Sequence, residues 1–164
     1  MPTPSGLKIR GATPADAALI LSLIRELAEY EKLAHEVTAT EAGLKSTLFG
    51  AHPSAECVIA EFDGEPAGFA LFFHNYSTFL GKPGLYLEDL YVKPELRGKG
   101  LGRRLLAHLA ALALSRGCGR FEWAVLDWNE PAIRFYKNLG ARTMDSWKIH
   151  RLTGDRLEAL AAEA

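Results

Sequence analysis

The chain has 164 residues, 48% of them apolar, and a formal net charge of −1, which suits one domain with its own core. That charge excludes the strong basic excess of a nucleic-acid binder but leaves room for a local acidic pocket. Two cysteines, with no Cys-x-x-Cys and no His cluster at ligand spacing, exclude a disulfide framework and a metal site.

The start, Met1-Pro2-Thr3-Pro4-Ser5-Gly6, reads as disordered, with the domain running from 7 to 164. It lacks the charged and apolar regions of a signal peptide, and no apolar run reaches the length of a membrane span, so the protein reads as cytoplasmic with no membrane partner. Leu7 to Arg10 forms a short strand. Thr13-Pro14-Ala15-Asp16 then supplies an N-cap, a first-turn proline and a first-turn acid for a long helix. Within it Ala17, Ile20, Leu21, Ile24, Leu27 and Ala28 recur at helical spacing. Thr40 caps a second helix through Leu48.

The period then changes. Cys57 to Phe62 and Ala67 to Phe73 flank the turn sequence Asp63-Gly64-Glu65-Pro66, which predicts a hairpin. A strand over 85–92 leads into a glycine-rich loop and a helix over about 101–115, whose Leu105, Leu109 and Leu112 make a buried stripe and whose end is marked by Gly117. A strand over 120–127 follows. Asn129 caps a short helix ending at Gly140, with Pro131 tolerated because first-turn N–H groups lack intrahelical partners. A further strand over 142–152 precedes the capped terminal segment Thr153-Gly154-Asp155. The order β-α-α-β-β-β-α-β-α-β predicts an α/β fold on a mixed sheet.

The most informative stretch is Leu87-Glu88-Asp89-Leu90-Tyr91-Val92-Lys93-Pro94-Glu95-Leu96-Arg97-Gly98-Lys99-Gly100-Leu101-Gly102. Alternate glycines strip side chains from a loop that opens a helix, so consecutive backbone N–H groups can converge on an anion such as a pyrophosphate at the positive helix end. Arg97, Lys99, Arg103 and Arg104 add charge. No Gly-x-x-x-x-Gly-Lys-Ser/Thr is present, and the third glycine falls one residue early for Gly-x-Gly-x-x-Gly, which argues against ATP and NAD.

Arg97-Gly98-Lys99-Gly100-Leu101-Gly102 resembles the Arg/Gln-x-x-Gly-x-Gly/Ala signature of the GNAT family of N-acetyltransferases, whose loop binds the pyrophosphate of acetyl-CoA. The resemblance extends through Tyr86-Leu87-Glu88-Asp89, and through Ala124 to Pro131, to Phe135-Tyr136-Lys137-Asn138-Leu139-Gly140-Ala141. With Tyr30-Glu31 it is nearest the diamine and thialysine acetyltransferase branch, and covers roughly 7 to 152. It implies a single-domain, mostly antiparallel central sheet flanked by helices, acetyl-CoA as cosubstrate with no metal, a small-molecule amine as partner, and a homodimer to which the strand from Thr143 to Leu152, including Trp147, contributes.

Acetylating an amine requires removing a proton from an ammonium of pKa about 10.4. The resemblance places Glu88 against the amine as base or electrostatic anchor; strand alternation turns Asp89 to the opposite face unless a bulge intervenes. Tyr136, seven residues after Asn129, becomes the proton donor to the CoA thiolate. Leu90, Tyr91 and Val92 are expected to polarise the thioester and pair with the pantetheine arm through their backbone. Pro131, Ala132 and Tyr136 join the cofactor set with Asn129, which serves equally well as a helix cap. Tyr30, Glu31, Glu88, Trp123 and Asp145 form the acceptor pocket, aromatic and acidic as a cationic amine requires.

Three departures from the diamine enzymes stand out. Ser77 replaces an acid, the loop before 142–152 is shorter, and Pro83-Gly84 lengthens the turn before the strand of Glu88. Ser77 and Val125-Leu126-Asp127-Trp128 look more like the thialysine type. A ping-pong route through Cys57 or Cys118 has no nearby His in support. Two other readings stay open: acetylation of a protein lysine or N-terminus, and a non-catalytic acyl-CoA sensor.

Overall fold

The computed structural model describes residues 5–164, in two compact units that divide after Leu126. Residues 1–4 of the expected disordered start lie outside the described residues. Ser5 and Gly6 form a turn, and the Gly6 carbonyl accepts from the Asp63 N–H at 3.0 Å.

The first unit is built on a five-stranded sheet, β1 (Leu7–Gly11), β2 (Glu56–Phe62), β3 (Glu65–Ser77), β4 (Lys82–Val92) and β5 (Arg120–Trp123), ordered as numbered. Neighbours are antiparallel except the parallel pair β4 and β5. Helices α1 (Ala17–Tyr30), α2 (Glu41–Phe49) and α3 (Leu101–Ser115) flank it. The result is the α/β fold that the element order predicts, with the mostly antiparallel sheet that the family resemblance implies.

Local chemistry sets the element starts. The Asp16 carboxylate accepts from the Thr13 N–H at 2.7 Å and from the Arg10 guanidinium at 2.8 and 2.9 Å, which fastens the entry of α1 to β1. A 3-10 turn, Pro14–Asp16, precedes the helix proper. Thr40 Oγ1 accepts from the Gly43 N–H at 3.0 Å and caps α2 as expected. Asp63 and Gly64 adopt φ of 52° and 86°, the two positive angles of a tight hairpin turn between β2 and β3.

Two apolar layers sandwich the sheet. On one face Ile20, Leu23 and Leu27 of α1 and Leu48 of α2 pack on Cys57, Ile59, Phe69 and Tyr91. On the other, α3 buries Leu101, Leu105, Leu106, Leu109 and Ala113; strand alternation turns Phe72, Leu85, Leu87 and Val92 to that side. Each fully buried Leu or Phe stabilises the fold by about 1.5–3 kcal/mol.

The hairpin joining β3 and β4 is tighter than expected. Ser77 pairs with Lys82 and Asn75 with Gly84, so Pro83 and Gly84 belong to β4 rather than to the turn. A Cβ on Gly84 would stand 2.2 Å from Asn75 Oδ1, so any larger residue there would force the Asn75 side chain to move. Pro83 serves the sheet through its carbonyl, which accepts from the Gly119 N–H at 2.8 Å. Ser77 is buried, and its Oγ accepts from the Leu80 N–H at 3.2 Å.

The second unit, Asp127–Ala164, holds α4 (Glu130–Asn138) and α5 (Gly154–Ala161). Residues 142–152 form no strand, and the strand expected to reach Asp127 ends at Trp123.

Candidate active site

A one-residue irregularity in β4 creates the site's acidic face. Asp89 pairs with Leu71, but Leu87 pairs with Phe72, so Glu88 is an extra residue bulged out of the ladder. Alternation from Leu87 sends Glu88 to the α1 face, and the bulge sends Asp89 to that face as well, beside Leu71 and Cys57. The two acids thus share a side instead of alternating. Glu31, at the C-terminal end of α1, approaches them there. Burial raises the Asp89 carboxyl to about 6, with Glu88 and then Glu31 adding their negative charge. Burial also raises Glu31.

Trp123 does not join this face. It is in register with Leu87, and its ring packs on Phe121 at 5.0 Å, both on the α3 side. Glu122, one residue before it, does face Tyr86, whose phenol is raised by burial, then by Glu88 and Glu122. Arg120 offsets Glu122 with an ion pair at 2.8 Å.

Beside the acids, β4 has an open edge. β5 pairs only with Gly84–Leu87, so from Glu88 to Val92 the strand has β3 alone as a partner. The Lys93 N–H bonds the Ala67 carbonyl at 2.9 Å, and alternation then turns the Leu90 and Val92 backbone groups outward to that edge. Tyr91 faces inward instead; its buried ring lies in the core and its hydroxyl donates to Glu26 Oε2 at 3.1 Å. Its backbone belongs to the ladder, against the expectation that it would pair with a ligand.

The edge runs into the glycine loop. Gly98 and Gly100 adopt φ of 78° and 79°, and Gly100 sits at the N-cap of α3 with no capping side chain. The first helical bond is Arg104 N–H to Gly100 carbonyl, at 3.1 Å, so the Leu101, Gly102 and Arg103 N–H groups have no intrahelical partner, the arrangement by which a helix start can hold an anion. The Leu101 side chain is core, leaving only its N–H for a ligand. Arg103 is exposed at the loop. The other three cations face elsewhere: the Lys99 ammonium lies 4.9 Å from the Phe62 ring centroid, the Arg97 guanidinium covers Tyr30 at 4.7 Å and Tyr91 at 5.7 Å, and Arg104 lines a groove between β1 and α3.

In the second unit, Asn129 is buried at the N-cap of α4, and its Oδ1 accepts from the Ala132 N–H at 3.4 Å, which is the capping role. Pro131 occupies the first turn. Half-buried Tyr136 lies on the helix with its ring 5.5 Å from Phe135. Asp145 is exposed in the irregular segment after α4.

Cys57 is no nucleophile: burial, with Asp16 and Asp89 nearby, pushes its thiol up to about 12. A shallow groove of about 430 Å³ between β1 and α3, lined by Leu7, Ile9, Ala107 and His108 among others, lies on the α3 side and holds none of the acids.

The sequence pattern marks neither Glu26 as a partner of Tyr91 nor the turn of Arg97 onto Tyr30. The four-residue spacing of Glu26 and Tyr30 on α1 was the available signal, since it puts both on one helical face.

Comparison with known proteins gives the fold a family. The profile of the Acetyltransferase (GNAT) family matches residues 20–141. A thialysine N-epsilon-acetyltransferase from Sus scrofa is 43% identical, covering 94% of this chain and 97% of its own length. An L-ornithine N5-acetyltransferase from Arabidopsis thaliana is 36% identical, covering 93% and 87%. Among solved structures, an integron cassette protein from V. cholerae superposes with a TM-score of 0.80 at 26% identity, over 95% of this chain and 98% of that one. A family match over most of the chain, on a fold with an open β4 edge and a glycine loop at the head of α3, makes the chain a member of the GNAT family and an N-acetyltransferase.

Proposed function

We propose that the protein transfers the acetyl group of acetyl-CoA directly to the primary amine of a small, lysine-like amino acid of the thialysine type, within a ternary complex. The observation that carries this reading is the acidic face at the β4 bulge, where Glu31, Glu88 and Asp89 crowd together beside the open edge. A largely buried Asp89 carboxyl that also feels the negative charge of Glu88 and Glu31 gains most from a cation. The relatives named for thialysine and ornithine act on amines of that kind.

The loop's residues suit the diphosphate of acetyl-CoA: unpaired helix N–H groups, two glycines at positive φ and the exposed Arg103. The outward backbone groups of Leu90 and the Val92 N–H suit an extended amide arm, the Val92 carbonyl being held by Arg97 Nε. In the reaction Glu88 takes a proton from the ammonium, directly or through water, and the freed nitrogen gives its lone pair to the thioester carbon. The carbon–sulfur bond breaks with its electron pair on sulfur, and Tyr136 supplies the proton that makes the departing thiol. Tyr30 and Glu31 contact the acceptor; Asp145 joins them on the resemblance alone. Ser77 supports an amino acid over a polyamine, since it caps a turn where the diamine enzymes carry an acid.

The deciding experiment measures CoA release from acetyl-CoA with thialysine, lysine, ornithine, diamines, polyamines and a lysine peptide. Turnover of a small amino acid, falling at least about 100-fold in Tyr136→Phe, is expected from loss of a general acid. Turnover of the peptide alone would replace this reading with a protein substrate. Tight acetyl-CoA binding without any turnover would replace it with a sensor.

A further inference from the structure

We propose that Arg97 is a positioning residue that couples the anion loop to the acceptor end of α1, by holding the Tyr30 ring under its guanidinium. The inference rests on the acetyl-CoA reading and deepens it.

Arg97 is the first residue of the glycine loop, and its charge was expected to serve the anion. Its Nε instead donates to the Val92 carbonyl at 3.0 Å, which fixes the side chain against the open edge of β4. Its guanidinium then lies over Tyr30, the last residue of α1, with Tyr91 flanking it. Tyr91 in turn donates to Glu26, one turn before Tyr30 on the same helix. Two links, Glu26 with Tyr91 and Tyr30 with Arg97, therefore tie the last turn of α1 to the end of β4 and the loop. Among the described residues no carboxylate makes an ion pair with Arg97, so stacking and the Val92 bond define its position.

Glu31 directly follows Tyr30, so whatever holds Tyr30 also sets where Glu31 meets the acceptor. A diphosphate seated on the loop fixes Arg97, and a fixed Arg97 fixes the acceptor wall. Coupling of this kind is reciprocal: losing Tyr30 weakens CoA binding even with no amine present.

The test compares CoA affinity by calorimetry, without amine, in the wild type, Tyr30→Leu, Tyr30→Phe, Arg97→Lys and the double variant Tyr30→Leu/Arg97→Lys. Tyr30→Leu should weaken CoA by about three- to tenfold, the range of a partly exposed cation–π contact. Tyr30→Phe keeps the ring and should stay near wild type. Arg97→Lys keeps the charge but loses the planar stack and the Nε bond, and adding Tyr30→Leu to it should cost little more. At saturating acetyl-CoA, Arg97→Lys should raise the KM for the amine several-fold with kcat nearly unchanged. This reading carries the test if Tyr30→Leu folds poorly. Wild-type CoA affinity in Tyr30→Leu, or strictly additive losses, overturns the coupling while leaving the acetyltransferase reading intact. A wild-type protein that binds no CoA overturns both.

Discussion

Asp89 and Asp16 are both acids within the first unit, and their surroundings push them in opposite directions. The Arg10 guanidinium, with help from Thr13, holds Asp16 down at about 2, so its stabilising contribution is complete above pH 4 and disappears as the pH falls toward 2. Asp89 is raised to about 6, and the sign reverses. Below its unfolded pKa near 3.8 it is protonated in both states and costs nothing; as pH rises through 6 the native state must hold a buried carboxylate beside Glu88 and Glu31. That penalty amounts to at most about 3 kcal/mol. Asp89→Asn is therefore expected to raise the melting temperature of the ligand-free protein at pH 8, with the gain vanishing below pH 4, while activity on the amine falls. Asp16→Asn should do the reverse, lowering the melting temperature at pH 7 and having no effect at pH 2. Thermal melts from pH 2 to 8 check both; a neutral Asp89→Asn at pH 8 would mean that the acid is solvated. Sequence reasoning named Glu88 and Glu31 but turned Asp89 away, because alternation is a local rule and the bulge arises from pairing with β3, some fifteen residues upstream in the chain.

The glycine loop shows which parts of an element a pattern can encode. Alternate glycines before an apolar helical stripe marked both the turn and the start of α3, and Gly98 and Gly100 do sit at positive φ. Gly102 differs: its φ is ordinary, and an added Cβ would meet only Val92 Cγ2, at 3.9 Å. Nothing in the fold demands glycine there, and the proposed diphosphate site gives it a reason: close approach of the ligand to the backbone. Gly102→Ala should keep the wild-type melting temperature yet weaken acetyl-CoA binding at least about tenfold, as steric exclusion of a close backbone contact would. Gly100→Ala should lose both, with about 1–2 kcal/mol of stability going to the left-handed backbone angle. Equal melting temperatures and equal affinities in the two variants would remove the case for a diphosphate on this loop. The strand expected over 142–152 failed for a different reason. Alternating apolar residues supply a face but not a ladder, and within its own unit that segment finds no strand to pair with.

At the level of the molecule, the hydrophobic period and turn chemistry located all five strands and three helices of the first unit, because each of those elements buries its apolar face within the unit itself. The second unit does not. Met144, Trp147, Ile149, Leu152, Leu157 and Leu160 are all exposed, with Trp147 at 74% and Ile149 at 80% of their full surface. Scattered surface apolar residues are ordinary, but six large ones within seventeen positions are more than a solvated segment carries without a partner. A second copy of this chain is the occupant that the family resemblance implies, and it would give 142–152 the neighbouring strand that it lacks. Light scattering should then give a mass near twice the 18.0 kDa of one chain. Trp147→Glu should shift it to the monomer, because a buried carboxylate without a partner costs several kcal/mol at each of two symmetric positions. A wild-type monomer at micromolar concentration would show that this segment is covered in some other way, and the acidic face and glycine loop would stand unaffected, since both lie wholly within the first unit.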